Sequence, residues 1–190
     1  MVSETDICNL ALTRFGDRTI TSLTENSKAA RLCALHYPRS RDMVLRAHPW
    51  NFAVKRKALS LSTTTPAYEF TSQFALPVDC LRVIRTGWDA ASLSVEYRIE
   101  GRNLLCSESE AIIEYVARIE DPTQFDHLFI DVLSARLAAE ICMAMTDNAG
   151  MTKNLWDIYQ VKLGDARSTD AMEGTPREIV DASDWIIARL

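Results

Sequence analysis

Three histidines, a run of carboxylates and five cysteines are the side chains of this sequence whose types could do chemistry. His36 and His48 stand twelve residues apart on either side of Pro38, and His127 stands where a helical pattern opens. None of them shares the short spacing that would pair metal ligands, and a neutral or capping role is expected of His127. Ser107-Glu108-Ser109-Glu110, with Glu114 beyond, could supply the two carboxylates of glycoside hydrolysis, one kept protonated by burial near another that stays ionised. Their place in a turn beside a strand predicts solvated charges instead. If they act, the activity is peptidoglycan cleavage, with Glu108, Glu110 or Glu114 as the acid. Cys8, Cys33, Cys80, Cys106 and Cys142 are odd in number, scattered and set among apolar neighbours, which predicts reduced core thiols. There is no Cys-x-x-Cys, no His-x-x-x-His, no Gly-x-Ser-x-Gly and, among only six glycines, no phosphate-binding loop. The expectation is therefore no catalytic centre, no metal and no cofactor.

Positive charge is the next candidate for function. The formal net charge is −5, against a general nucleic-acid binder. Between residues 39 and 57, however, Arg39, Arg41, Arg46, Lys55, Arg56 and Lys57 face the single acid Asp42, so this window carries +5 and the remainder −10. Such polarity suits a molecule that meets copies of itself or an oppositely charged partner. A DNA-binding module using residues 39–57 is the competing reading, and a solvated basic edge that discourages strand aggregation is the plain one for Lys55 to Lys57.

The elements that must position these residues divide at the same window. Met43, Val44 and Ala47 keep helical spacing until Pro49 forces His48 out of the helical region. Trp50, Phe52 and Val54 then alternate with polar or small residues as a half-buried strand does, predicting a strand over 51–61. Pro49, Trp50 and Phe52 thus form a structural joint, with the two aromatics clamping it from inside. Upstream, Thr5 or Asp6 can cap a helix that buries Ile7, Leu10, Ala11 and Phe15 and closes at Gly16. After a linker with Ile20 and Leu23 as its buried points, a single bent helix is expected over 27–47, kinked at Pro38 and braced by Asp42 and Arg46 four residues apart.

Downstream, short β-branched and aromatic runs predict strands at 51–61, 68–74, 80–86, 94–100, 103–107 and 111–119, with a tight hairpin at Gly101-Arg102. From Gln124 the positions Phe125, Leu128, Phe129, Val132, Leu133, Leu137, Ile141, Ala144 and Met145 form the clearest amphipathic stripe. Asp147 to Gly150 break it, and a last helix over 151–166 turns Leu155, Ile158, Tyr159 and Leu163 inward. The fold class expected is α+β: a four-helix-type bundle (1–50 and 120–172) with an inserted antiparallel sheet or small sandwich (51–119) and an extended C-terminal arm (173–190). In that arm Ile179, Val180, Trp185, Ile186, Ile187 and Leu190 follow the breaker Gly174-Thr175-Pro176. The arm either folds back on the bundle or, the preferred reading, docks on a partner. No apolar run reaches the length of a membrane span, and the acidic start 1–6 predicts no signal peptide, hence synthesis and retention in the cytoplasm.

Tyr37-Pro38, Arg41-Asp42, Leu45-Arg46, His48-Pro49-Trp50-Asn51-Phe52-Ala53, Lys55-Arg56 and Leu59 together resemble the tail tubular protein A and tail accessory factor family, the head-to-tail adaptors of short-tailed bacteriophages. The likeness extends to Cys8-Asn9-Leu10-Ala11-Leu12 with Gly16 and Ile20, to Phe74-Ala75-Leu76-Pro77-Val78-Asp79-Cys80-Leu81-Arg82-Val83, and loosely to Ser183-Asp184-Trp185. The resemblance implies a non-enzymatic virion protein of the tail and neck, a homo-oligomeric ring of about twelve copies bound beneath the portal protein. It implies a lumen through which genomic DNA passes without sequence-specific binding, and a β-insert facing the next tail component or a neighbour. The arm residues Trp185, Ile186, Ile187 and Arg189 are then expected at the portal. Arg39, Arg41 and Arg46 are expected to meet acids of an adjacent subunit, with Asp126, Asp131 and Glu140 as examples.

Overall fold

The computed structural model describes residues 2–87 and 96–173. Within them the chain is α+β, four helices with two small antiparallel sheets. Helix α1 (Glu4–Thr13) starts at Ser3 rather than at Thr5 or Asp6. The reason is a reciprocal cap: Ser3 Oγ accepts from Asp6 N at 3.1 Å, and the Asp6 carboxylate accepts from Ser3 N at 2.9 Å. The helix closes where Gly16 takes φ +78°, with Gly16 N donating to Thr13 O and Asp17 N to Leu12 O. Ile7, Cys8, Ala11 and Leu12 are buried, whereas Leu10, expected inside, is 47% exposed. In the linker Asn9 grips the backbone of Ile20 through both its amide atoms, which brings Ile20 into the core.

Helix α2 (Lys28–Ala47), capped by Ser27, runs unbroken through Pro38. Ala34, whose carbonyl loses its partner to the proline, is exposed, so the lost bond falls on the wetted side. The helix stops at His48, which is extended (φ −143°, ψ 148°) as a residue before proline must be. The expected strand at 51–61 begins later. Asn51–Ala53 form a 3-10 turn, and β1 covers Val54–Leu59. The turn arises because Asn51 N donates to Asp170 instead of to a neighbouring strand.

β2 (Ser72–Ala75) likewise starts four residues later than the alternation suggests. Phe70 N bonds back to Tyr68 O across Glu69, whose φ of 70° makes 68–70 a tight turn. β3 (Cys80–Gly87), β4 (Tyr97–Glu100), β5 (Asn103–Cys106) and β6 (Ala111–Ala117) lie within or next to the expected spans. Positions 94–95 of the strand expected over 94–100 lie outside the described residues, as does the arm beyond 173. One sheet has the order β1-β6-β3 and the other β2-β5-β4, all antiparallel. β4 and β5 form the hairpin expected at Gly101, which has φ +59°.

Helix α3 (His127–Thr146) is capped by Asp126, and α4 (Ala149–Met172) by Asn148, two residues after α3 ends. The sequence stripe understates α3: residues on nearly every side of it, from Phe129 to Cys142, are buried, because α1, α2 and α4 all pack on it. Leu128 and Ala144, expected inside, lie at its ends and are exposed. α4 buries Leu155, Tyr159, Leu163 and Ala166, while Ile158 points outward at 41% exposure. It runs six residues beyond the expected end, held there through Asp170. A single apolar core takes in residues from all four helices and both sheets.

Glycine substitutions separate backbone geometry from packing. Gly164 lies in the interior of α4 with open space where a Cβ would go, so Gly164→Ala should raise stability by about 0.5–1 kcal/mol. Gly16→Ala should lower it by about 1 kcal/mol, since space is equally open but φ is positive. Urea unfolding monitored by circular dichroism checks both, and the two shifts should have opposite signs.

Candidate functional site

The corner from His48 to Phe52 joins α2 to β1, and its polar atoms are satisfied from two directions. Trp50 is buried, and its indole N–H donates to Val44 O at 2.9 Å, a carbonyl of the last turns of α2. From α4, Asp170 reaches across: one carboxylate oxygen meets His48 Nε2 at 2.9 Å, and the other accepts from Asn51 N at 3.1 Å. Asn51 Nδ2 donates to Asp170 O at 2.8 Å. An ionised carboxylate can only accept, so His48 carries its proton on Nε2 in this contact. Beyond Ala166 the last turns of α4 bury no side chain, and this clasp is what ties them down.

Under the corner lies an aromatic stack. Trp50 meets Phe129 edge-on at 5.3 Å and His48 at 5.0 Å, and Phe52 meets Phe129 at 5.1 Å and Phe125 at 5.9 Å. Phe125 and Phe129 are 4.8 Å apart. The geometry is that of favourable aromatic pairs, and it places Trp50 and Phe52 against the start of α3. Pro49 stands between His48 and Trp50, half-buried.

Around this pin the arginines are largely spent inside the chain. Arg41 is only 6% exposed and pairs with Asp42 at 2.9 Å and Glu120 at 3.6 Å. Asp42 also takes Arg118, from the chain just after β6, at 2.8 Å. The pair expected between Asp42 and Arg46 along α2 is therefore replaced. Arg46 donates to Leu81 O on β3 instead. Lys55 pairs with Asp79 at 3.3 Å, and Arg56 lies 3.7 Å from Glu114. Arg39 and Lys57 remain exposed with no ion pair among the described residues. Four of the six cations of the window thus have partners within the chain: Arg41 and Arg46 link α2 to the chain beyond β6 and to β3, and Lys55 and Arg56 pair within the β region.

The acids expected at a subunit contact are engaged too. Asp131 takes Arg14 of α1 at 2.5 Å and Lys162 of α4, tying three helices together. Glu140 takes Arg136 one turn back at 2.9 Å, and Arg136 lies 5.3 Å from the ring centres of both Trp156 and Tyr159. Asp126 is exposed and caps α3 through Leu128 N at 2.8 Å. Arg41, Asp131 and Glu140, expected at a subunit contact, thus each have an ion-pair partner within the chain. Trp185, Ile186, Ile187 and Arg189 lie outside the described residues.

The carboxylates considered for hydrolysis are not brought into one site. Glu114 is 8% exposed on the central strand β6 and faces Arg85 at 2.5 Å as well as Arg56. Glu110 is exposed and Glu108 half-buried at the turn before it. The three histidines are likewise separate: His36 and His48 are about 18 Å apart along one helix, and His127 is exposed at the start of another. All five cysteines are free and buried. No group of His, Cys, Asp and Glu able to hold a metal occurs among the described residues. Sequence reading missed Asp170, Arg14 and Lys162, whose partners lie more than 30 residues away, and Tyr115, whose hydroxyl donates to Asp79 at 3.2 Å. Burial pushes the Tyr115 phenol up to about 12, with Asp79 adding to it.

Comparison with protein-family models finds no match, and comparison with curated proteins finds none.

Two titrating groups report on this bracing. Burial pushes the Asp131 carboxyl up, but hydrogen bonds from Lys162 and Arg14 outweigh it and hold it below its ordinary value. At His48 burial dominates and lowers the pKa. Asp170 pulls the other way, while Arg167 and Arg82 add to the lowering. The unfolded chain then takes up the proton first as pH falls, so stability is full above the ordinary histidine value of about 6.5 and declines below it. Asp131 titrates below the usual carboxylate range and stays out of that window. Urea midpoints at pH 7.5 and 5.5 should therefore differ in favour of pH 7.5, and His48→Gln should narrow the difference. An unchanged difference would assign the pH dependence elsewhere.

Proposed function

We propose that the chain is a non-enzymatic virion structural protein, a head-to-tail adaptor that forms a ring beneath a portal and extends the DNA channel toward the tail. One observation carries the reading. The residues on which the family resemblance rests, from Arg41-Asp42 through Arg46 and His48 to Lys55-Arg56, span the junction of α2 with β1, where Asp42 and Arg46 bond to the sheet side and His48 to α4. A resemblance confined to scattered surface positions would carry little; here it falls on the corner about which the fold is built.

The competing readings lose their particular support. A DNA-binding module needs Lys and Arg free to displace counterions from phosphates, whereas Arg41, Arg46, Lys55 and Arg56 already have partners. A hydrolase would need Glu114 beside a second carboxyl, and Glu114 sits between two arginines. In the proposed assembly the C-terminal arm, through Trp185, Ile186, Ile187 and Arg189, seats on the portal.

Electron microscopy of the purified protein mixed with a cognate portal is the test. Rings seated on the portal are expected from the full chain. A chain ending at residue 173 should fold, by circular dichroism, yet leave the portal bare. Portal binding by the truncated chain would remove the arm from the proposal, and no binding by the full chain would remove the proposal itself.

A further inference from the structure

The exposed side of α2 carries Arg31, Leu35 and Arg39, each one helical turn from the next. Leu35 is 70% exposed although it is a large aliphatic residue in mid-helix. It lies two positions from buried Tyr37, hence about 200° around the helix from the core. The exposed side of α4 repeats this pattern with the sign reversed. Asp157, Val161 and Asp165 are again one turn apart, Val161 is 65% exposed, and it lies two positions from buried Tyr159. Ile158, 41% exposed, widens the apolar centre. Arg39, Asp157 and Asp165 have no ion pair among the described residues, and Arg31 contacts only the amide oxygen of Asn26, at 3.2 Å. Both helices pack on α3, and each stripe lies on the side turned away from the core, so neither can reach the other within one molecule.

We propose that these two stripes are the two halves of one interface between copies of this chain, α2 of one subunit packing on α4 of the next. The inference rests on the ring reading and supplies its contact. Each stripe spans nine residues, a rise of about 12 Å, so an apolar centre meets an apolar centre while both arginines meet both aspartates. Because the two halves are different surfaces, the contact is head-to-tail and leaves a free α2 and a free α4 at the ends. It therefore propagates, and it closes as a ring when the rotation between subunits allows. Two copies meeting α2 to α2 would set arginine against arginine, which selects against a closed dimer. The flanking pairs are solvent-exposed, so the contact weakens as salt rises.

The five native cysteines are buried, which leaves the surface clear for cross-linking. The full chain carrying Leu35→Cys and Val161→Cys, oxidised with copper phenanthroline at high protein concentration and low salt, should give a ladder of covalent oligomers. Each disulfide should join position 35 of one copy to position 161 of the next. At 1 M NaCl the ladder should fall several-fold. Reversing one stripe (R31E with R39E) or the other (D157K with D165K) should abolish the ladder, and all four reversals in one chain should restore it. Monomer alone, disulfides joining position 35 of two copies, or a ladder indifferent to either reversal would overturn the inference. A ladder without portal binding would instead defeat the adaptor reading and leave this interface standing. Circular dichroism of each reversed variant guards against a folding defect, which four exposed positions should not cause.

Discussion

The corner at Pro49 is the constraint on which the rest of the structure depends. Proline ends α2 and removes one donor, and the next three residues must turn toward β1 while carrying a tryptophan into the core. A buried corner without backbone partners would be costly, so each polar atom there has to find one. Trp50 bonds back into α2, and His48 and Asn51 are met by a carboxylate from the far end of the described chain. The length of α4 follows from that demand. Its apolar contacts end at Ala166, yet the helix continues to Met172 because Asp170 is needed at the corner.

This accounts for what could and could not be read from residue order. Periodicity and breakers located the helices, because Ser27, Pro49, Gly16 and the Asp147-Asn148 pair are local signals with local consequences. The hairpin at Gly101 was legible for the same reason. The 3-10 turn at Asn51–Ala53 was not, since its cause is Asp170, more than a hundred residues away. Cap positions also shifted: Ser3 wins over Thr5 because Asp6 falls at the position that returns the bond, a pairwise condition. Leu10 and Ile158 misled because a helix at the edge of a bundle turns a narrower face inward than its apolar residues suggest.

Charge is where residue order misleads most. Summed along the chain, residues 39–57 form a basic block, and such a block invites an anionic partner. In the fold Asp42, Asp79, Glu114 and Glu120 stand beside that block, and three of these lie outside the window. A linear sum cannot see compensation across a sheet register such as Arg56 opposite Glu114. Four of the six cations in the block therefore have partners within the chain, while Arg39 and Lys57 have no ion pair among the described residues. The Arg41–Asp42 pair is the most buried of these, and losing one member there leaves the other uncompensated, whereas the exposed pairs of Lys55 and Arg56 contribute little net stability.

The position of α3 narrows where any partner can touch. Its apolar residues are covered on nearly every side, and its polar ones, Asp131, Ser134, Arg136 and Glu140, are taken by α1, α4 and one another. A helix so enclosed serves as an axle, and its charges cannot be exchanged with a neighbour without loosening the bundle. Among the described helices, that leaves the three packed around it. Of these, α1 spends Arg14 on Asp131 and buries most of its apolar residues, leaving only Leu10 outward. α2 and α4 keep large aliphatic residues on their outer sides, beside charges that have no ion pair among the described residues. The same packing that consumes the basic window therefore leaves, on two different helices, the surfaces with chemistry still unspent.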